Sequence, residues 1–356
     1  MSFPATLTWA TVFAEVSRCS PSAYGSPMPS RHLVDQEIVP LIEMLPGFQL
    51  DRASLEQTRI MMMELGRENR PPTPDSVEVT RRQIPGPAGA PEVAVVISAP
   101  RSKAAARPGV LHIHGGGYVM GAPDMGLVTD AAYVTQLGAV VVSVDYRLAP
   151  ETTHPGPVED CYAALTWLYR QADELGVDRK RIVVTGESAG GGLAAAAVLM
   201  ARDRGEIPVA FQHLIFPMLD DRTVVAPEPS PYLGQFVWTP EANFFGWTAL
   251  LGQAPGGPDV SPYAAPARAQ DLSGLPPTFM ICGALDLFLE EDLDYARRLI
   301  RAGVPTELHI YPGAPHGFML VESAAISRAF ARDSMAALGR ALGVRDGAGA
   351  STGSPQ

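Results

Sequence analysis

One segment of the chain constrains its fold more than any other. It is the run 181–194, RIVVTGESAGGGLA, which is apolar and β-branched in its first half and rich in small residues in its second. The first half predicts a buried strand and the second a tightly packed helix. Between them, Gly186–Gly190 has the G-x-S-x-G pattern of a sharp strand-to-helix turn. Glycines at both ends of this pattern leave room for a strained backbone at Ser188.

This turn would hold the hydroxyl of Ser188 at the open end of a sheet, beside the first N–H groups of a helix. Those N–H groups and the positive end of the helix dipole favour a developing negative charge. The segment therefore predicts a nucleophilic serine. The alternative is an ordinary strand-to-helix turn that contains a serine, because short motifs also occur by chance.

Segments of strand length and helix length alternate along most of the chain. This alternation predicts right-handed β–α–β crossovers and a mostly parallel sheet flanked by helices, so the expected fold class is α/β. Strands are predicted at 77–84 and 93–98, as a hairpin, and at 109–114, 139–144, 182–184, 211–216, 278–282 and 307–311. Helices are predicted at 33–45, 52–65, 129–137, 160–171, 192–203, 289–302 and 324–342.

Two segments depart from the alternation and predict a helical cap above the sheet. Residues 1–76 form the first cap segment, which opens with a loosely held arm at 1–30. Residues 217–274, rich in Pro and containing Trp and Phe, form the second cap segment. The catalytic domain is then expected at 77–216 and 275–345, followed by a flexible tail at 346–356.

Composition excludes several classes of protein. The 356 residues are 46% hydrophobic and carry a net charge of −11, so a large core is available but no basic surface for nucleic acid or anionic lipid. The N terminus lacks a basic leader, and no apolar run reaches the roughly 20 residues of a membrane span. Cys19, Cys161 and Cys282 are scattered, without metal-binding spacing. They favour a reduced compartment, and we expect a cytoplasmic protein.

Three consecutive glycines follow a predicted strand in 114–118, HGGGY. Glycine exposes its backbone N–H group and lets a substrate carbonyl approach closely. Such HGGG loops stabilise an oxyanion and precede the nucleophile in the chain, as this one precedes Ser188. The alternatives are a flexible turn or a phosphate loop, although the G-K-S/T signature of a phosphate loop is missing.

A serine nucleophile needs a base and an orienting acid, and the sequence offers both. His316 lies in a Pro- and Gly-rich loop after the last predicted strand, as expected for a base that reaches across to Ser188. Asp286 follows the strand at 278–282 and would face the same edge of the sheet. Other candidate acids, interpreted as the solvated N-terminal charge of the next helix, are Glu290, Glu291, Asp292 and Asp294. The other histidines, interpreted as structural, packing or surface residues, are His32, His112, His114, His154, His213 and His309.

Five motifs follow one another in a fixed order: HGGGY at 114–118, DYRLAPE at 145–151, GESAGGGLA at 186–194, the segment around Asp286, and HGF at 316–318. Together they resemble the bacterial hormone-sensitive-lipase-like (family IV) esterases of the α/β-hydrolase superfamily, over residues 77–345. The resemblance implies an α/β-hydrolase fold with a cap. It also implies that Gly115, Gly116 and Ala189 supply the oxyanion-binding N–H groups.

Two positions depart from this family pattern. Glu187 precedes the serine where the family more often has Asp or Thr, and Leu287 follows the acid where Pro is usual. Neither change removes a catalytic group, but Glu187 alters the local charge. Within DYRLAPE, we expect Asp145, Arg147 and Glu151 to form a polar network beneath the oxyanion loop.

The motifs favour a carboxylesterase that acts on short to medium acyl esters through a Ser–His–Asp triad and an acyl-enzyme. Acyl transfer to an alcohol would use the same residues. A ligand-binding protein is the alternative from another class, because plant gibberellin receptors resemble this family without the catalytic histidine; here His316 is present. No cofactor or metal is expected, because no cluster has ligand spacing. The expected partner is a small-molecule ester, and the last predicted strand, 307–311, favours a homodimer through an open sheet edge.

Overall fold

The computed structural model describes residues 29–45, 50–68, 71–102 and 104–344. The strands in these ranges are β1 Val77–Ile84, β2 Val93–Pro100, β3 Arg107–Ile113, β4 Val140–Asp145, β5 Val177–Glu187, β6 Phe211–Ile215, β7 Thr278–Gly283 and β8 Thr306–Tyr311. The α-helices are α1 Val39–Met44, α2 Leu55–Glu68, α3 Leu127–Leu137, α4 Gly156–Arg170, α5 Ala172–Leu175, α6 Ala189–Arg204, α7 Pro240–Leu251, α8 Leu289–Arg301 and α9 Ala325–Leu342.

The eight strands form a single sheet in the order β1-β2-β4-β3-β5-β6-β7-β8 within the described ranges. β2 pairs antiparallel with β1 and β4, and every other pairing is parallel. The predicted α/β class with a mostly parallel sheet is therefore confirmed. The final strand β8 lies at one edge of the sheet and β1 at the other.

The N-terminal segment differs from its prediction. The helix expected over 33–45 begins only at Val39, after a 3₁₀ turn at Arg31–Leu33. Pro40 explains the difference, because proline lacks an N–H donor and fits the first turn of a helix but not its interior. Residues 1–28 of the predicted arm at 1–30, the tail at 346–356 and Cys19 lie outside the described residues.

A row of polar side chains crosses one face of the central strands. Ser143, His112, Thr185 and His213 are direct neighbours on β4, β3, β5 and β6. Because side chains alternate between faces along a strand, all four lie on the same face of the sheet. His213 is bonded on both ring nitrogens, to the hydroxyls of Thr185 and Ser334 at 2.8 Å each. Burial lowers the pKa of His213 to about 3, so this histidine is a neutral packing residue.

Helix α6 lies unusually close to the sheet. A methyl group added at Gly190 would lie 2.1 Å from the carbonyl oxygen of Ile113 and 2.4 Å from that of His114. At Gly192 a methyl group would lie 2.1 Å from the carbonyl oxygen of Met218. The small residues of the G-x-S-x-G segment therefore allow backbone to pack on backbone, which places the start of α6 beside the end of β3.

The two segments predicted as a cap contact each other, and the first contacts the chain directly after the HGGGY loop. Arg59 on α2 donates from Nε to the carbonyl oxygen of Val119 at 2.6 Å and from Nη2 to that of Ala149 at 2.9 Å. The hydroxyl of Ser30 donates to Oε1 of Gln235 at 2.6 Å, which joins the N-terminal segment to the 217–274 segment. Both segments thus lie over the same end of the sheet.

Three structural features concern membrane spans, metal ions and cysteines. Across the described ranges, every helix is too short or too polar to cross a membrane. Among the residues with described positions, no group of three or more His, Cys, Asp or Glu side chains is arranged so that it could hold a metal ion. Cys161 and Cys282 are buried free thiols.

The close packing of α6 leads to a stability prediction. Replacing Gly190 with Ala should lower the free energy of unfolding by about 3 kcal/mol, because the new methyl group collides with fixed backbone oxygens. Gly257→Ala is the matched control, since a methyl group there meets nothing within 4 Å. Urea unfolding of both variants tests this prediction, and equal midpoints for the two would contradict it.

Candidate active site

Ser188 occupies the strained turn between β5 and α6. Its backbone has φ 55° and ψ −122°, a conformation that residues other than glycine rarely adopt. Hydrogen bonds hold it there: its N–H donates to the carbonyl oxygen of Ile215 at 2.9 Å, and its own carbonyl oxygen accepts from Met218 at 2.9 Å. The turn therefore presents the serine hydroxyl at the carboxyl end of the parallel strands.

The side chains of Ser188, His316 and Asp286 form a continuous hydrogen-bonded line. His316 Nε2 lies 3.0 Å from Ser188 Oγ, and His316 Nδ1 lies 2.8 Å from Asp286 Oδ2. The other carboxylate oxygen of Asp286 accepts from the backbone N–H of Phe288 at 3.0 Å. The acid thus fixes the ring with Nε2 toward the serine, where it can accept the hydroxyl proton.

Aromatic side chains enclose the His316 ring. Phe216 and Phe288 both contact it edge-on, with ring centroids 4.7 Å and 5.2 Å away. Trp238, from the 217–274 segment, lies 6.4 Å from it between ring centroids. Ser188, Asp286 and His316 are all buried, so the hydrogen bonds between them form in surroundings of low polarity.

The four other candidate acids lie away from His316, and the interpretation of two of them was wrong. Glu291 and Asp292 are buried and not solvated. Glu291 accepts from the backbone N–H of Leu219 at 2.6 Å and also from Thr223 Oγ1, because the chain after β6 packs against the start of α8. Burial raises the pKa of Glu291 well above its usual value.

The exposed candidates agree with the sequence interpretation. Asp294 pairs with Arg297 at 2.6 Å on the outer surface of α8, and Glu290 is exposed on the same helix. Only Asp286, among these five carboxyl groups, has a hydrogen bond to His316 in the described part of the chain.

The HGGGY loop lies directly against the nucleophile turn. A methyl group added at Gly115 would lie 2.9 Å from the carbonyl oxygen of Glu187 and 3.4 Å from Cβ of Ser188. Gly116 has φ +117°, which glycine adopts without strain. Ala189 is the first residue of α6, where N–H groups have no partner inside the helix. The backbone of both segments therefore lies beside Ser188.

The DYRLAPE segment supports this loop differently from the prediction. Tyr146 stacks on His114 with ring centroids 4.3 Å apart and donates its hydroxyl to the carbonyl oxygen of His114 at 2.9 Å. Burial lowers the pKa of His114 to about 4, so its ring is neutral. The stacked ring of Tyr146 and the hydrogen bond from its hydroxyl therefore fix His114, the residue that begins the glycine loop.

The network expected among Asp145, Arg147 and Glu151 is wrong. Arg147 forms a bidentate pair with Asp160 of α4, and Glu151 pairs with Arg59 of α2 at 2.8 Å. Asp145 is exposed at the end of β4. Neither partner is close in sequence, so the motif alone could not reveal them.

Sequence reasoning also missed a buried polar group beneath the nucleophile turn. The ring of His112 lies between two carboxylates, with Nδ1 2.5 Å from Asp130 and Nε2 2.8 Å from Glu187. His112 belongs to the strand that leads into HGGGY, and Glu187 directly precedes Ser188. The unusual glutamate in the serine motif was the available signal, but nothing in the sequence pointed to Asp130.

Comparison with known proteins identifies the family of the chain. A family model described as alpha/beta hydrolase fold matches residues 110–320. Esterase LipI of Mycobacterium tuberculosis is 32% identical over 289 residues, which are 80% of this chain and 88% of the relative. Carboxylesterase NlhH of Mycobacterium tuberculosis is 39% identical over 244 residues, 66% of this chain and 74% of the relative.

Solved structures extend the similarity to the whole fold. A bacterial heroin esterase superposes with a TM-score of 0.82 and is 41% identical, over 87% of this chain and 98% of that chain. Esterase LipW from Mycobacterium marinum superposes with a TM-score of 0.76 at 33% identity, over 89% and 98%. The chain belongs to the hormone-sensitive-lipase-like family of bacterial carboxylesterases in the α/β-hydrolase superfamily.

Proposed function

We propose that this carboxylesterase hydrolyses esters with short to medium acyl chains through an acyl-enzyme on Ser188. The observation that carries the proposal is the unbroken line of hydrogen bonds from Ser188 through His316 to Asp286, at 3.0 Å and 2.8 Å. A serine hydroxyl becomes an effective nucleophile when a neutral imidazole can take its proton. Here the ring is already in position to do so.

The reaction proceeds in two halves. His316 accepts the hydroxyl proton as Ser188 Oγ attacks the ester carbonyl carbon, and the carbonyl oxygen becomes an oxyanion. The bond to the leaving alkoxide then breaks, and His316 returns the proton to that alkoxide, which leaves an acyl group on Ser188. Water repeats the same steps, releasing the carboxylic acid and restoring the serine. Asp286 orients the ring and stabilises its charged form throughout.

The backbone N–H groups of Gly115, Gly116 and Ala189 stabilise the oxyanion in both halves. Donors of this type act most strongly when they are fixed in advance and shielded from water. Three observations support this role. Gly115 contacts Ser188, and Ala189 is the first residue of α6. Tyr146 stacks on His114 at the start of the loop.

The cap segments, 1–76 and 217–274, set the size of the acyl pocket. Trp238 is the main support for this part of the proposal, because its indole lies over Gly117: a methyl group there would be 2.2 Å from the ring. A tight turn at Val237, with φ 61°, precedes Trp238. The indole Nε1 of Trp238 donates to Asn243 Oδ1 at 3.0 Å, which fixes the orientation of the ring. An apolar wall fixed beside His316 and the glycine loop favours short acyl chains.

The buried free thiols of Cys161 and Cys282 support a reducing, cytoplasmic location as part of this proposal.

Substitutions in the hydrogen-bonded line should separate the nucleophile from the orienting acid. Ser188→Ala should lower kcat by about 10⁶-fold, and Asp286→Asn by about 10⁴-fold, because the acid orients the base but does not react. Asp294→Asn is the matched control, since this surface carboxylate is expected to leave kcat unchanged. Hydrolysis of p-nitrophenyl acetate measures all three, with circular dichroism to confirm folding. A fully active Ser188→Ala protein would refute the assignment.

Acyl-chain preference should depend on Trp238. Across p-nitrophenyl esters of increasing acyl length, kcat/KM should first rise, because each buried methylene stabilises the bound ester by about 0.8 kcal/mol. It should then fall once the acyl chain is long enough to collide with the indole. Trp238→Ala should move the maximum toward longer chains. Phe244→Ala, on an exposed side chain of α7, is the control and should leave the maximum in place. An unchanged maximum in Trp238→Ala would exclude the indole as the limiting wall.

We also propose a homodimer through β8, the open edge that follows β7 in the sheet. An edge strand presents unpaired backbone groups that another copy can bind. Sedimentation at micromolar concentration should show dimers, and hydrogen exchange of β8 amides should slow as concentration rises. The other edge strand, β1, is the internal control and should show no such change. A monomer at every concentration would rule out this assembly.

A further inference from the structure

The ring of His112 is held between two carboxylates that come from different elements. Asp130 on α3 contacts Nδ1 at 2.5 Å, and Glu187 at the end of β5 contacts Nε2 at 2.8 Å. The second oxygen of Asp130 accepts from the hydroxyl of Ser143 at 2.6 Å. His112 and Asp130 are fully buried, so these contacts form almost without solvent.

This geometry requires a doubly protonated ring when both carboxylates are charged. A carboxylate can only accept, and a neutral histidine has a single N–H donor, so two carboxylates need both ring nitrogens to donate. Burial by itself would lower the pKa of His112, but the charges of Glu187 and Asp130 raise it well above the usual value. Burial would likewise raise the pKa of Glu187, which the charge of His112 holds below its usual value.

The other titratable groups around the ring are neutral. Tyr133 on α3 lies 6.2 Å from His112 between ring centroids, and burial raises the pKa of its hydroxyl. His114, the first residue after β3, and His213 on β6 have lowered pKa values, about 4 and about 3. Within the described ranges, the charges that raise the pKa of His112 are therefore those of Asp130 and Glu187.

The cluster lies where the two halves of the active site meet. β3 and β5 are adjacent, and Ile113 pairs with Gly186 at their ends. Two residues beyond Ile113 is Gly115, and the residue after Glu187 is Ser188. The bond from His112 to Glu187 thus joins the strand end that carries the oxyanion loop to the strand end that carries the nucleophile.

We propose that His112, Asp130 and Glu187 are positioning residues that hold the oxyanion loop in place against Ser188. This inference rests on the proposed ester hydrolysis, because it assigns these residues to the same oxyanion and nucleophile. The charged ring of His112 also neutralises Glu187, a carboxylate one residue from the site where an oxyanion forms. Uncompensated, that carboxylate would oppose the negative charge of the transition state.

The direction of the pH dependence follows from the raised pKa of His112. Below the ordinary titration range of histidine, the His112 ring is charged and both of its hydrogen bonds to carboxylates are intact. As the pH rises through the raised pKa of His112, the ring loses a proton and the stabilisation from these two bonds is lost. A neutral ring can donate to only one carboxylate, so the other loses its partner. The proposal therefore gives the wild-type enzyme a fall in kcat on the alkaline side.

Three variants test the proposal. Glu187→Ala removes the carboxylate that accepts from His112 Nε2 and should lower kcat by about tenfold. KM should stay within about twofold of the wild-type value, because the alignment of the oxyanion loop with Ser188 affects the chemical step and not ester binding. Glu187→Gln should restore most of the kcat that Glu187→Ala loses. Its kcat should also not fall at alkaline pH, because the glutamine amide can donate to a neutral His112 ring. Glu174→Ala is the matched control, a surface carboxylate paired with Arg82 that should leave both kcat and the pH profile unchanged.

Ring-nitrogen NMR of histidine-labelled protein provides a readout independent of activity. Two N–H signals should be seen for His112 at neutral pH in the wild type, with the Nε2 signal shifted in Glu187→Gln. A single N–H signal would overturn the charged-ring geometry. Unfolding midpoints of the same variants separate a loss of stability from a loss of kcat in folded protein.

The kinetic outcomes decide the inference separately from the function. A folded Glu187→Ala protein with wild-type kcat, or a Glu187→Gln protein with the wild-type alkaline fall, would overturn the positioning role while the loss of activity in Ser188→Ala still supported ester hydrolysis. An active Ser188→Ala protein would instead overturn the proposed mechanism, and the NMR result on His112 would stand without it.

Discussion

The contact of helix α6 with the ends of β3 and β5 is the constraint on which the site depends. Gly190 lets the helix backbone lie against the carbonyl oxygens of Ile113 and His114, with no space for even a methyl group. That contact brings Ser188 and the glycine loop together, so one stretch of backbone packing places both the proposed nucleophile and the proposed oxyanion donors. The strain at Ser188 persists because the surrounding packing allows no other turn.

Buried carboxyl groups around this contact are accommodated in two ways. Glu187 remains charged because the charged ring of His112 pairs with it. Glu291 and Asp292, on the first turn of α8, have no histidine partner among the described residues, and burial raises their pKa values well above the usual range. Glu187 and Asp286, the carboxylates in direct contact with the proposed site, each have a histidine partner, which lowers the electrostatic cost of the proposed oxyanion.

The cap joins the same arrangement through a few directed contacts. Arg59 donates to the carbonyl oxygens of Val119, which follows the glycine loop, and of Ala149 in the DYRLAPE segment, and Trp238 lies on Gly117 within the loop. In the proposed mechanism, the wall of the acyl pocket and the oxyanion loop are therefore in direct contact.

The sequence by itself determined the α/β class, the position of β8 at the edge and the motifs of the family, because these depend on local pattern and chain order. It also named Ser188, Asp286 and His316, which the fold brings within hydrogen-bonding distance. Only the tertiary structure decided the partners of buried charges. Asp130 reaches His112, Asp160 reaches Arg147, and Glu291 is buried and not solvated, because pairing and burial depend on which elements pack together, which no local pattern encodes.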